Sequence, residues 1–203
     1  MAADTRDRIL AAATRLYAAP DAGGPALRAI ARAGGVNSAL IHYHFGSREG
    51  LLEAVLLRAL EPVQALRWPI IERLRAGGSA DGRDLAALCV TPIAALPRES
   101  DGGPAPALRL FARAISEDRI RLDALTAQHF APMLFALRDV LATALPALSR
   151  EAKERRFQFA ADAAVTALAG DEATRANVGG STAFDAYAHD LTKFLAGALD
   201  APE

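Results

Sequence analysis

Apolar side chains recur along this chain at spacings of three and four, the signature of helices that bury one face. Ile9, Leu10, Ala13, Leu16 and Tyr17 predict a first helix, with Asp4 or Thr5 placed to cap it and Pro20 to end it. Asp21 to Pro25 reads as a loop by composition. Leu27, Ile30 and Ala31 form a second apolar stripe, and Val36, Leu40 and Ile41 a third, with Gly35 between them. A fourth helix opens at Ser47 and turns Leu51, Leu52, Val55 and Leu56 inward. It runs to about Leu60, where Pro62 breaks or kinks it, and continues irregularly through Trp68 and Pro69 to Arg75.

Beyond the Gly77–Gly82 loop the same period continues. It predicts a helix over Leu85–Leu96 with Pro92 inside it, then a mobile loop over Pro97–Pro106. Leu108, Leu110, Phe111, Ala114 and Ile115 follow, and after them one long helical stretch from about Arg121 to Leu145 that holds Pro132. Two apolar helices close the chain: Phe157 to Leu168, opened by Ser149 and closed by Gly170, and Phe184 to Ala198. Runs of alternating β-branched residues are missing. The expected fold is all-α, with about nine helices divided into residues 1–60 and 61–203.

Candidate chemistry gathers at the second and third stripes. Two short helices crossing through a tight turn need a small residue at the crossing, a residue tolerant of left-handed backbone, and an apolar anchor. Ala31, Gly35 and Ile41 supply these in order, which predicts a helix-turn-helix whose second helix spans about 37–43. The positions left outward are Asn37, Ser38, Ala39, His42, Tyr43 and His44. Such a face suits a DNA major groove, with N-terminal residues at base edges and flanking ones on phosphate. Ser47 and Arg48, at the start of the next helix, favour a phosphate. The same pattern also fits an ordinary helical hairpin with a wet polar face.

Residues 5–58 resemble the N-terminal domain of the TetR family of transcriptional regulators. The resemblance rests on Thr-Arg-Asp-Arg-Ile-Leu-Ala-Ala-Ala-Thr-Arg-Leu-Tyr ending at Tyr17, and on the run from Leu27 through His-Tyr-His-Phe to Leu52. It implies an all-helical homodimer with a three-helix DNA-reading head and a C-terminal domain that holds a small-molecule pocket and the dimer contact. It also implies a repressor released from a palindromic double-stranded operator by ligand. The chain departs from the family where the second helix usually opens with a capping Thr or Ser: Pro25 and Ala26 stand there. Arg28 then becomes the phosphate partner from that helix. His42 departs too, at a position where the family often has Tyr.

Charge changes this picture little. The whole chain carries −1, yet residues 1–60 hold seven arginines against five acidic residues, a net of +2, and the remainder −3. The single Cys89 excludes an internal disulfide or a multi-cysteine metal site, and no cofactor or metal is expected. No apolar stretch is long enough for a membrane span, which predicts a cytoplasmic protein without a membrane partner.

Pro132 inside a helical pattern would bend the axis, and with Trp68, Cys89, Phe111, His129, Phe130, Met133 and Phe135 it predicts a largely apolar effector pocket. Phe157, Ala161, Ala164, Val165 and Leu168, with Phe184, Tyr187, Leu191, Phe194 and Leu195, predict a four-helix dimer interface. Two other classes stay open. One is a dimeric interaction module without DNA binding. The other is a small helical enzyme using His129 with Asp123 or Glu117, for which the sequence offers no nucleophile, phosphate loop or metal signature.

Overall fold

The computed structural model describes residues 2–19, 24–96, 106–170, 176 and 180–201. Among them are ten helices and no strand: α1 Ala2–Tyr17, α2 Leu27–Gly34, α3 Ser38–Phe45, α4 Arg48–Gly77, α5 Gly82–Ala94, α6 Pro106–Glu117, α7 Arg119–His129, α8 Ala131–Ala144, α9 Arg150–Ala169 and α10 Ser181–Leu199. Much of the predicted Pro97–Pro106 loop, and Asp21 to Gly23 of the first loop, lie outside the described residues. The chain divides into two compact units. One comprises Met1–Glu61 with Pro106–Leu122, and the other Pro62–Ala105 with Asp123–Glu203.

The first unit is built on α1. Its inward face, Ile9, Leu10, Ala12, Ala13 and Tyr17, is buried with Ile30 and Ala31 of α2, Ile41 of α3, and Leu51, Val55 and Leu56 of α4. Burying each large aliphatic side chain contributes about 1.5–3 kcal/mol, so this shared core fixes the short α2 and α3, which could not hold a helix alone. Helix α6 packs on α1 through Leu108, Leu110 and Phe111.

In the second unit α5 is the central element, packed against α8, α9 and α10. Leu85, Leu88, Cys89, Val90 and Ile93 are buried along it. Asp81 and Asp84 form a reciprocal capping box at its start, and the Asp200 carboxylate accepts from the Gly82 amide at 3.1 Å. Arg156 donates to the carbonyls of Leu199 and Ala201, which fastens the end of α10.

Two sequence expectations change. Helix α4 runs unbroken from Arg48 to Gly77 with Pro62 and Pro69 inside it, where a break or kink at Pro62 and an irregular continuation were expected. Both prolines are exposed, as are Arg58 and Ala65 one turn earlier, whose carbonyls lose their amide partners. The cost of each proline therefore falls where water can replace the bond. Conversely, the long helix expected over Arg121–Leu145 is two helices broken at Phe130. Pro132 sits in the first turn of α8, where a missing N–H costs nothing.

Candidate nucleic-acid interface

Helix α2 ends where Gly35 adopts φ 62° and ψ 39°. The Gly35 amide donates to the Arg32 carbonyl at 3.2 Å and the Val36 amide to the Ala31 carbonyl at 2.9 Å, the paired bonds of a Schellman cap. The Arg8 guanidinium reaches across from α1 and donates to the Gly35 carbonyl at 2.8 Å. The turn is thus closed locally and tied to α1. At the other end of α2, Ala26 gives no side-chain cap, as its missing hydroxyl dictates, and Arg28 is exposed.

Asn37 begins α3 by accepting from the Ala39 amide at 2.9 Å. Its oxygen is therefore engaged in capping, and its side-chain NH2 is left to donate to a base. Ile41 is the single buried residue of α3. Leu40, expected inward, is 37% exposed, because a helix of two turns anchored by one residue leaves its remaining positions outside. An exposed Leu on this face offers an apolar contact of the kind that thymine methyls accept. Tyr43 is 81% exposed and stands edge-on to the His44 ring at 5.1 Å. His42 and Ala39 are exposed, Ser38 and His44 half-buried. His42 Nδ1 lies 3.3 Å from the Gly46 carbonyl, which leaves Nε2 outward. Phe45 is half-buried beneath Arg6, whose guanidinium lies 5.4 Å from the ring centre.

The start of α4 is less simple than the sequence implied. Ser47 accepts from the Gly50 amide at 3.0 Å and caps the helix. Glu49's own backbone amide and then the Ser47 hydroxyl donate to its carboxylate and hold it below the usual carboxylate range. Exposed Arg48 therefore shares this terminus with a persistent negative charge, and the Ser47 hydroxyl is already engaged.

Residues 9–55 match the family model described as bacterial regulatory proteins, tetR family, and residues 87–198 match the tetracyclin repressor-like C-terminal domain. The chain belongs to the TetR family. Its fold resembles that of a TetR-family transcriptional regulator from Rhodococcus sp., at 22% identity over 98% of this chain and 97% of that one, TM-score 0.55. It resembles equally the transcriptional regulatory protein RHA5900, at 22% identity over 97% of this chain and 100% of that one, TM-score 0.55. No curated protein matches the chain.

In this TetR-family regulator the residues named for an effector pocket differ in their surroundings. Phe111 belongs to the first compact unit and the other six to the second. His129 is exposed and Phe135 is 63% exposed, its ring 5.8 Å from the Arg138 guanidinium, so both leave the predicted lining. Cys89 and Met133 are buried, while Trp68 and Phe130 are half-buried. Burial pushes the Cys89 thiol up to about 12, partly offset by the nearby Arg67 cation, and Arg67 donates to the carbonyls of Leu88 and the Gln64 side chain. Two cavities in the second unit, of about 160 and 110 Å³, are lined by other residues, among them Arg138 and Glu154 in the first and Arg75 and Asp139 in the second.

Of the ten residues named for the dimer contact, six are buried, three half-buried and Phe194 exposed. Phe157, Ala164, Val165, Leu168, Phe184 and Leu195 are buried within the second unit, because α9 and α10 close over α5. Ala161, Tyr187 and Leu191 are half-buried, and the Tyr187 hydroxyl donates to the Ala167 carbonyl at 3.3 Å. The outward apolar residues of these helices are Phe194, 71% exposed and one of the residues named for the dimer contact, and Phe159, 64% exposed, which the sequence reading passed over. Among the described residues no helix is long and apolar enough to cross a membrane.

Proposed function

We propose that the protein is a homodimeric repressor that reads a palindromic operator through α3 and is released by a small, largely apolar ligand. The observation that carries this reading is the outward face of α3. One buried Ile41 and two structured turns hold Leu40, His42 and Tyr43 exposed on a rigid helix. A helix so anchored can enter a groove without rearrangement. Residues 1–60 are assigned to DNA reading and 61–203 to effector binding and dimerisation. Arg28, Tyr43, His44 and Arg48 are assigned to phosphate or sugar. Asn37, Ser38, Ala39 and His42 are assigned to base edges, with Ser47 supporting Arg48.

Cys89, Met133, Trp68 and Phe130 remain the assigned effector contacts. The dimer assignment stays on α9 and α10, centred on Phe194, already named for it, and on Phe159, whose exposure an isolated subunit would not favour.

The test is selection of genomic fragments by purified protein, followed by gel shifts over a salt series. Recovery of a near-palindrome, with affinity falling steeply as salt rises, is the expected result. Tyr43→Phe and Arg48→Ala should weaken binding to all sequences, and His42→Ala should change the preferred site. Absence of enriched DNA at every salt concentration, with ligand-free and extract-supplemented protein alike, would leave the helical module without DNA binding as the better reading. A Phe194→Glu substitution should shift the sedimenting species to monomer.

A further inference from the structure

The first compact unit contains a cavity of about 440 Å³, of whose lining residues only Arg48 is assigned to DNA. Its wall comes from the end of α1, the start of α4, α6 and the α6–α7 junction. Leu52, Leu56, Leu110 and Ala114 form an apolar floor. Tyr17 lines the same cavity, is only 6% exposed, and its hydroxyl has no hydrogen-bond partner among the described residues. Buried hydroxyls are almost always bonded, so a partnerless one just behind a cavity wall is a group that an occupant could satisfy.

The rim fixes the charge of what can fill it. Arg48, Arg113 and Arg121 are matched in number by Glu49, Glu117 and Asp118. The pairing is also local: Arg113 lies 2.7 Å from Glu117 and Arg121 2.8 Å from Asp118. Arg113 further donates to the carbonyls of Tyr17 and Ala19, both at 3.2 Å. A charged ligand reaching Arg113 or Arg121 would have to break one of these pairs, and at Arg48 it would meet the neighbouring Glu49 carboxylate, whereas a neutral one leaves the rim intact.

We infer that this cavity is a binding site for a small uncharged amphiphile, an apolar body resting on the leucine floor with one hydroxyl or carbonyl oxygen bonded to the Tyr17 hydroxyl. The volume lies within the range of small-molecule sites. Water does not reach the Tyr17 oxygen in the empty cavity, so the proposed bond requires a wall side chain to swing aside. The rim is built of long arginines and glutamates for which such motion is fast. The site requires neither DNA binding nor a dimer, and none of its lining residues is among the effector contacts assigned to residues 61–203.

The probes are benzyl alcohol, toluene, benzoate and benzylammonium, titrated into the full-length protein with dissociation constants read by ligand-observed NMR. Benzyl alcohol should bind about fivefold tighter than toluene, the value of one net hydrogen bond, and tighter than either charged analogue. Tyr17→Phe should erase the preference over toluene while keeping toluene binding. Ala114→Met, which fills the floor and leaves the phenol in place, should weaken both neutral probes together. Absence of neutral-probe binding to the wild type, a preference that survives Tyr17→Phe, or a charged analogue binding best would each overturn the inference.

Discussion

Changing Tyr17 to Phe removes one oxygen and leaves the ring, so packing against α1, α4 and α6 is kept. The oxygen is buried without a partner, and an unsatisfied buried hydroxyl costs about 1–3 kcal/mol. Removing it should therefore stabilise the ligand-free protein, by about 1 kcal/mol at the lower end of that range. For a chain of this length that corresponds to a rise of about 2–4 °C in melting temperature. Urea unfolding is the assay, since a change in midpoint with an unchanged slope isolates stability from changes in the denatured state. Tyr187→Phe is the internal control of opposite sign. Its hydroxyl donates to the Ala167 carbonyl at 3.3 Å, so its loss should cost about 0.5–1.5 kcal/mol. If Tyr17→Phe destabilises the protein as much as Tyr187→Phe does, the Tyr17 hydroxyl has a partner and the reasoning fails.

Three further outcomes follow from the same structure. Gly35→Ala should lower stability by about 1–2 kcal/mol, because left-handed backbone disfavours a Cβ, here also 2.7 Å from the Arg8 guanidinium. Gly34→Ala, where the new carbon would meet ordinary contacts at 3.5 Å and beyond, should cost distinctly less in the same melt, and equal losses would contradict the cap geometry. Glu49→Gln should tighten DNA binding about two- to fivefold at low salt by removing a charge from the start of α4. Because the carboxyl is held below its ordinary range, its ionised form persists as pH falls, and the gain should be as large at pH 5 as at pH 7; a gain confined to the higher pH would be the wrong sign. Cys89, with its thiol pushed up to about 12, should be only about 10⁻⁴ ionised at pH 8 and resist a disulfide reagent until the protein unfolds, so rapid labelling of native protein would show the burial to be wrong.

The sequence by itself determined the local units. Spacing of apolar residues placed α1, α2 and α3, and Gly35 marked the turn because only a residue without a Cβ fits that backbone freely. Ser47 and Ser149 were legible as caps, since a hydroxyl at a helix start has one evident partner, the amide two or three residues on. What tertiary structure decided is everything that depends on which side of a helix finds a neighbour. Gly34 and Gly35 are alike in sequence, yet only Gly35 carries the left-handed backbone. Pro62 and Pro69 stay inside α4 because they face water, whereas Pro132 starts α8. The α9 and α10 stripes were read correctly as apolar, but periodicity cannot tell which of their residues serve the subunit's own core, and packing on α5 buried Phe157, Leu168, Phe184 and Leu195 while leaving Phe194 outside. The cavity beside Tyr17 was out of reach for the same reason. Its wall joins residues from α1, α4 and α6 that are distant in the chain, and its one distinguishing feature, a hydroxyl without a partner, exists only once every neighbour has been placed.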